Sequence, residues 1–202
     1  MHIKRKVFNR YLTPADERQL FRYVRQFSSI LARRDCHWMG LLRRTGIRVS
    51  TMAGLTVADA EQALADRVLT LRDAICKNGN GYSVPLTRQA AKDLRALLAI
   101  RKSMGHAHDA DAPLVVSRNH RGLSVRSYQD RLQHWRELAG LPVGVSPHWF
   151  RHTLAKRIMA NSTAADPRGK VFVALGHGDI NSTAIYTMPD KEDVRLALEQ
   201  AM

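Results

Sequence analysis

Six side chains in this sequence have the types and settings for chemistry at a phosphate or a similar oxyanion. Arg48, in TGIRVS, stands just past a glycine helix stop and at the start of a new helix, where a guanidinium can fork onto an anion. Lys77 lies at the lip of a hairpin, where a flexible, partly desolvated ammonium can donate a proton. In SPHWFRHTLAKR, His148 and Arg151 are three apart and share one face of a first helical turn, whose free N–H groups and positive dipole end suit a phosphate. LGHGDINSTAIYT sets His177 after a glycine stop, positioned to hydrogen-bond a phosphoryl oxygen, with Tyr186 nine residues further on. A phenol of pKa about 10 attacks at neutral pH only with a base and cationic neighbours. Each fragment taken alone also fits a plain surface residue, and a tyrosine near a chain end is commonly a packing residue.

The bulk numbers fit a partner with negative charge. The 202 residues carry 32 Lys and Arg against 18 Asp and Glu, a net charge of +14 and a pI near 10.6. That balance suits nucleic acid, although charge alone equally fits a solvated basic surface. Residues 1–50 hold 12 basic and 3 acidic side chains, so the excess is concentrated at the start. No apolar run reaches the length of a membrane span, and MHIKRKVFNRYLTPADE lacks a hydrophobic signal region, which predicts a cytoplasmic protein without a membrane partner. Cys36 and Cys76 lack paired spacing and read as reduced thiols. His106, His108 and Cys36-His37 lack a four-ligand spacing, so no metal is expected. No Walker loop, dinucleotide fingerprint or GxSxG elbow occurs, so no nucleotide cofactor is expected either.

The elements that must position these groups are mostly helices. Thr13-Pro14-Ala15-Asp16 opens a first helix, which the apolar spacing Leu20, Phe21, Val24, Phe27, Leu31 extends to about five turns. A second runs around Trp38–Arg44 to a stop at Gly46, and a third through Thr51, Met52, Leu55 and Val57. Two Asn-Gly pairs at residues 78–81, between β-prone runs, predict a small antiparallel sheet over 67–86. Helices over 87–104, 124–139, 146–159 and 170–175 follow, with a terminal amphipathic helix over about 190–202. The expected class is mostly α with one small antiparallel β-sheet, as a basic segment (1–12) followed by one domain (13–202).

Taken in order, Arg48, Lys77, His148, Arg151, His177 and Tyr186 resemble the active-site set of the tyrosine recombinase, or phage integrase, family. TGIRVSTMAGLTVAD is similar to the family's first arginine box, CKNGNGYSVPL to its lysine hairpin, HWFRHTLA to its HxxR helix and LGHGDINSTAIYT to its LGH box with the nucleophilic tyrosine. The resemblance spans about residues 10–190 and implies a tyrosine recombinase catalytic-domain-like fold. It further implies a site-specific DNA recombinase for integration, excision or inversion, acting by transesterification without metal or ATP. Tyr186 would form a 3′-phosphotyrosyl bond, Arg48 and Arg151 would stabilise the non-bridging oxygens, and Lys77 would protonate the leaving 5′-oxygen. His148 would act as acid and base, and His177 would hydrogen-bond the phosphate. The implied partners are double-stranded DNA, a homotetramer on paired sites formed from a monomer or weak oligomer, and accessory DNA-bending proteins; the implied location is the nucleoid.

The sequence departs from the family pattern at Thr51, where a glutamate is usual, and at Gly81 and Tyr82, where a further basic residue is usual. Met188 replaces a common histidine, and NSTAADPRG is longer than expected. The twelve residues before the first helix cannot hold the usual N-terminal core-binding domain, so the chain is expected to be a catalytic-domain fragment or a short form. The terminal helix would pack on a neighbouring protomer or on its own domain. A non-cutting regulator of the same fold and a type IB topoisomerase-like strand transferase are the alternative functions.

Overall fold

The structure, a computed structural model, describes residues 10–163 and 166–176, together with 195, 198, 199 and 201. The first helix, α1 (Pro14–Val24), starts at a reciprocal cap in which the Asp16 amide donates to Thr13 Oγ1 and the Thr13 amide donates to Asp16 Oδ2. The expected five-turn helix is broken. After Val24 the chain tightens through Arg25–Ser29, and the Ser29 hydroxyl accepts from the Ala32 amide to start α2 (Ile30–Thr45). The apolar period ran through this break because Phe27 still packs on Tyr23 and Trp135, while a serine pair supplied a new cap. Gly46 closes α2 in the left-handed conformation (φ 65°), as the sequence predicts.

The expected third helix also divides. α3 (Val49–Ala53) stops at Gly54, and a second capping box, Thr56 with Asp59, starts α4 (Val57–Asp66). Strands β1 (Val68–Leu71) and β2 (Tyr82–Pro85) then pair antiparallel, with Leu71 opposite Tyr82 and Val68 opposite Pro85. Leu69, Leu71 and Val84 face the core, while the Thr70 and Ser83 hydroxyls meet across the outer face at 3.3 Å. The β-prone run Ala74–Lys77 forms no strand; the connection folds as 3₁₀ turns at Asp73–Ile75 and Lys77–Gly79, with Asn78 left-handed. Helices α5 (Arg88–Ser103), α6 (Val125–Leu138), α7 (Pro147–Ala160) and α8 (Arg168–Leu175) complete the described chain. The expected terminal helix lies almost wholly outside the described residues. Among the described residues, no helix is long and apolar enough to cross a membrane.

Helix α2 is the hub, packing against α1, α5 and α7. Trp38 meets Tyr128 of α6 edge to face at 5.0 Å, and both are fully buried. Beside them the buried Asp35 carboxylate accepts from Arg34 and Trp38 at Oδ1 and from Arg131 and Trp135 at Oδ2, over 2.7–3.1 Å. A charge this deep is tolerable only because every lone pair is answered. Asp93 joins α5 to α2 through His37 and Arg44, and Glu17 joins α1 to α2 and α7 through Arg43 and Arg157. α7 is further held at its middle by the Leu12 amide, which donates to Thr153 Oγ1 at 2.9 Å.

Candidate active site

Three separate segments meet at the start of α7. Ser146 and Pro147 begin this helix, with proline at a first-turn position where its missing N–H costs nothing. Trp149 and Phe150 turn into the core, which aims Arg151 at the junction with α8 and leaves His148 on the surface. Arg151 is 3% exposed; its Nη1 donates to the Gly46 carbonyl and its Nη2 to the Leu175 carbonyl, both at 2.8 Å. One guanidinium therefore ties the segment leading to Arg48 to the segment leading to His177.

Gly46 and Gly176, at and just after those two carbonyls, allow the close approach of their segments. Gly46 is left-handed, and a Cβ there would run into Leu175 and Leu154. Gly176, which ends α8 at φ 57°, lies flat against the Tyr82 ring, so a Cβ would overlap it. Strand β2 thus braces the turn that carries the chain into His177. The Tyr82 hydroxyl is buried and has no hydrogen-bond partner among the described residues.

The electrostatics draw the predicted groups together. His148 is open to solvent on one side, yet the protein crowded around its ring pushes its pKa below the usual histidine value. The positive charges of Arg151, Arg48 and Lys77, in that order, push it further the same way. Arg48 and Lys77 come from elements far apart in sequence: Arg48 caps α3 by its backbone alone, and Lys77 starts a 3₁₀ turn in the β1–β2 connection. The His152 ring lies 5.6 Å from that of His148, and burial, His148, Arg151 and Arg10 lower its pKa to about 4.

Four of the six predicted residues, Arg48, Lys77, His148 and Arg151, therefore belong to one cationic cluster. His177 and Tyr186 lie outside the described residues. Sequence reasoning treated Arg151 purely as an anion ligand and missed its backbone duties, which leave no local signal. It noted Tyr82 only as a missing cation, although an aromatic beside a small, left-handed glycine is a packing pair. Among the described residues, no three His, Cys, Asp or Glu side chains gather as a metal site.

The tyrosine recombinase XerC of Shewanella amazonensis is 34% identical over 160 residues, covering 79% of this chain and 50% of that protein. The XerC of Azotobacter vinelandii is 31% identical over 174 residues, covering 85% and 53%. The chain thus spans about half the length of the curated relatives it matches. Among solved structures, XerA recombinase has a TM-score of 0.74 at 23% identity, covering 95% of this chain and 65% of that one. The Tn1549 transposon integrase in complex with transposon right end DNA has a TM-score of 0.72 at 19% identity, with coverage of 95% and 65%. XerH bound to its difH substrate gives 0.70 at 18%, with coverage of 98% and 56%. These likenesses show a shared fold, that of tyrosine recombinase catalytic domains, which is the mostly helical class with a small antiparallel sheet expected from sequence. Residues 10–193 match the description Phage integrase family, and the chain belongs to that family.

Proposed function

We propose that this chain is the catalytic domain, over residues 13–202, of a site-specific DNA recombinase that exchanges phosphodiesters through a covalent 3′-phosphotyrosyl intermediate. The observation that carries the reading is the charge convergence on His148: three cations from three separate elements bear on one imidazole, and among the described residues no carboxylate contributes to its shift. Such a cluster suits an incoming phosphodiester, whose transition state gathers negative charge on its non-bridging oxygens. Arg48 and Arg151 stabilise that charge. A low pKa keeps His148 neutral at pH 7, so it can accept the proton as Tyr186 attacks. Lys77 protonates the departing 5′-oxygen, and His177 hydrogen-bonds the phosphate.

The substrate is duplex DNA, bound through a strongly basic surface, so affinity falls steeply with salt. A tetramer on paired sites, helped by DNA-bending proteins, completes the reaction. The deciding experiment incubates the wild type and Tyr186→Phe with labelled, nicked duplexes tiled across the DNA flanking the gene. An SDS-resistant protein–DNA adduct made by the wild type alone is the expected result. Binding with no adduct on any substrate turns the assignment to a regulator that occupies DNA without cutting it.

A further inference from the structure

The β1–β2 connection, ten residues from Arg72 to Gly81, is longer than the usual two to five of a hairpin. It nevertheless has a defined seat. Arg72 forks onto Asp59, with Nε to Oδ1 and Nη2 to Oδ2 both at 2.9 Å, and Nη2 also donates to the Gly54 carbonyl at 3.2 Å. Asp59 is itself fixed, since it accepts from the Thr56 amide at 2.9 Å in the capping box of α4. Further along, Ile75 presses on Gly54 so closely that a Cβ would collide with it, and the Gly81 amide donates to Asp73 Oδ1 at 2.7 Å. The Cys76 thiol lies beside Thr51, within the field of the Arg48 charge.

These ties share a geometry. α3 is a five-residue helix capped by Arg48 at one end and Gly54 at the other. Arg72 and Ile75 hold the connection to the Gly54 end, while Cys76, one residue before Lys77, lies along the middle of the helix at Thr51. The fork therefore sets where the Lys77 backbone stands relative to Arg48.

We infer that Arg72, clamped by Asp59 and the Gly54 carbonyl, is a positioning residue for Lys77, holding the general acid in reach of the leaving oxygen. This inference rests on the proposed role of Lys77. In that step the tyrosine oxygen–phosphorus bond forms as the phosphorus–O5′ bond breaks. The electron pair stays on O5′, which takes a proton from the Lys77 ammonium and leaves a neutral amine; the tyrosine proton passes to His148. A long, flexible side chain delivers its proton efficiently only when its base is fixed, because misplacement by about 1 Å costs up to about 100-fold. The alternative is an exposed ion pair with no bearing on the reaction, since half of the Arg72 side chain is open to solvent.

The test compares two leaving groups. Nicked duplexes carry either the ordinary 5′-oxygen or a bridging 5′-sulfur at the scissile phosphate; a thiolate departs without a proton. Lys77→Ala should slow cleavage of the oxygen substrate by about 10²–10⁴ and be restored on sulfur. Arg72→Ala should lose about 10- to 100-fold on oxygen, recover to within about threefold of wild type on sulfur, and bind DNA unchanged. Asp59→Asn removes the fork's charge while keeping an acceptor for the Thr56 amide, and should behave in the same way if Arg72→Ala folds poorly. Equal slowing on both substrates, or no slowing on oxygen, while Lys77→Ala is rescued, overturns the positioning role alone. Failure of sulfur to rescue Lys77→Ala overturns the role of Lys77 and this inference with it.

Discussion

The surroundings of Asp35 and of His148 are both crowded with cations, and they treat charge in opposite ways. At Asp35, one buried carboxylate gathers Arg34, Arg131 and two indole N–H groups, so the positive charge is answered within the chain. At His148, Arg151, Arg48 and Lys77 bear on one ring, and among the described residues no acid shifts it. All three acids of the first fifty residues serve the fold: Asp16 caps α1, Glu17 joins three helices and Asp35 joins α2 to α6. Of the cations in that stretch, Arg48 is the one that bears on His148. Charge is balanced where the fold needs stability and left unbalanced where the proposed chemistry takes up an anion.

Removing the buried acid should have the largest effect. Asp35→Ala strands two guanidinium groups and should cost about 3–5 kcal/mol. In a chain of this size the melting temperature should drop on the order of 10 °C, which calorimetry or a denaturant titration will read. Arg48→Ala should do the reverse. It should lower adduct formation by about 10²–10³ while unfolding free energy changes by under about 0.5 kcal/mol, because its side chain caps nothing. Strong destabilisation by Arg48→Ala would break the comparison.

The smallest effect is a pH dependence. Both His148 and His152 titrate lower in the fold than in the unfolded chain, so the unfolded state binds more protons on acidification. Their contribution to stability is complete above about pH 6.5 and is lost as pH falls, for His152 down through about pH 4. Melts of wild type and His152→Gln between pH 7 and 4 should differ in slope, the wild type losing more stability as acid is added.

Much of this division was legible in the sequence, because it rests on local rules. Gly46, Ser146-Pro147 and the Thr13 box mark element ends through their own backbone chemistry. Apolar spacing found the buried face of α6, where Tyr128, Leu132 and Trp135 pack inward. The same spacing misled at Phe27, since a helical period continues across a break when both halves pack on one core. The start of α4 was available in Thr56 and Asp59 but was overrun by the period of the helix before it. Asp35 with Arg131, and Arg151 with Gly46, lie 96 and 105 residues apart, and such pairings leave no trace in local pattern.

The double hold of Arg151 on Gly46 and Leu175 bears on how such a protein would decay. On the proposed reading, a descendant that kept its DNA site but gave up cutting could discard Arg48 or Tyr186 and remain a sound DNA-binding regulator. Arg151 could not drift so freely, because its loss would unfasten α8 from α2 in a protein still under selection to fold. An intact Arg151 is therefore a poor witness to activity, and an intact Arg48 a good one.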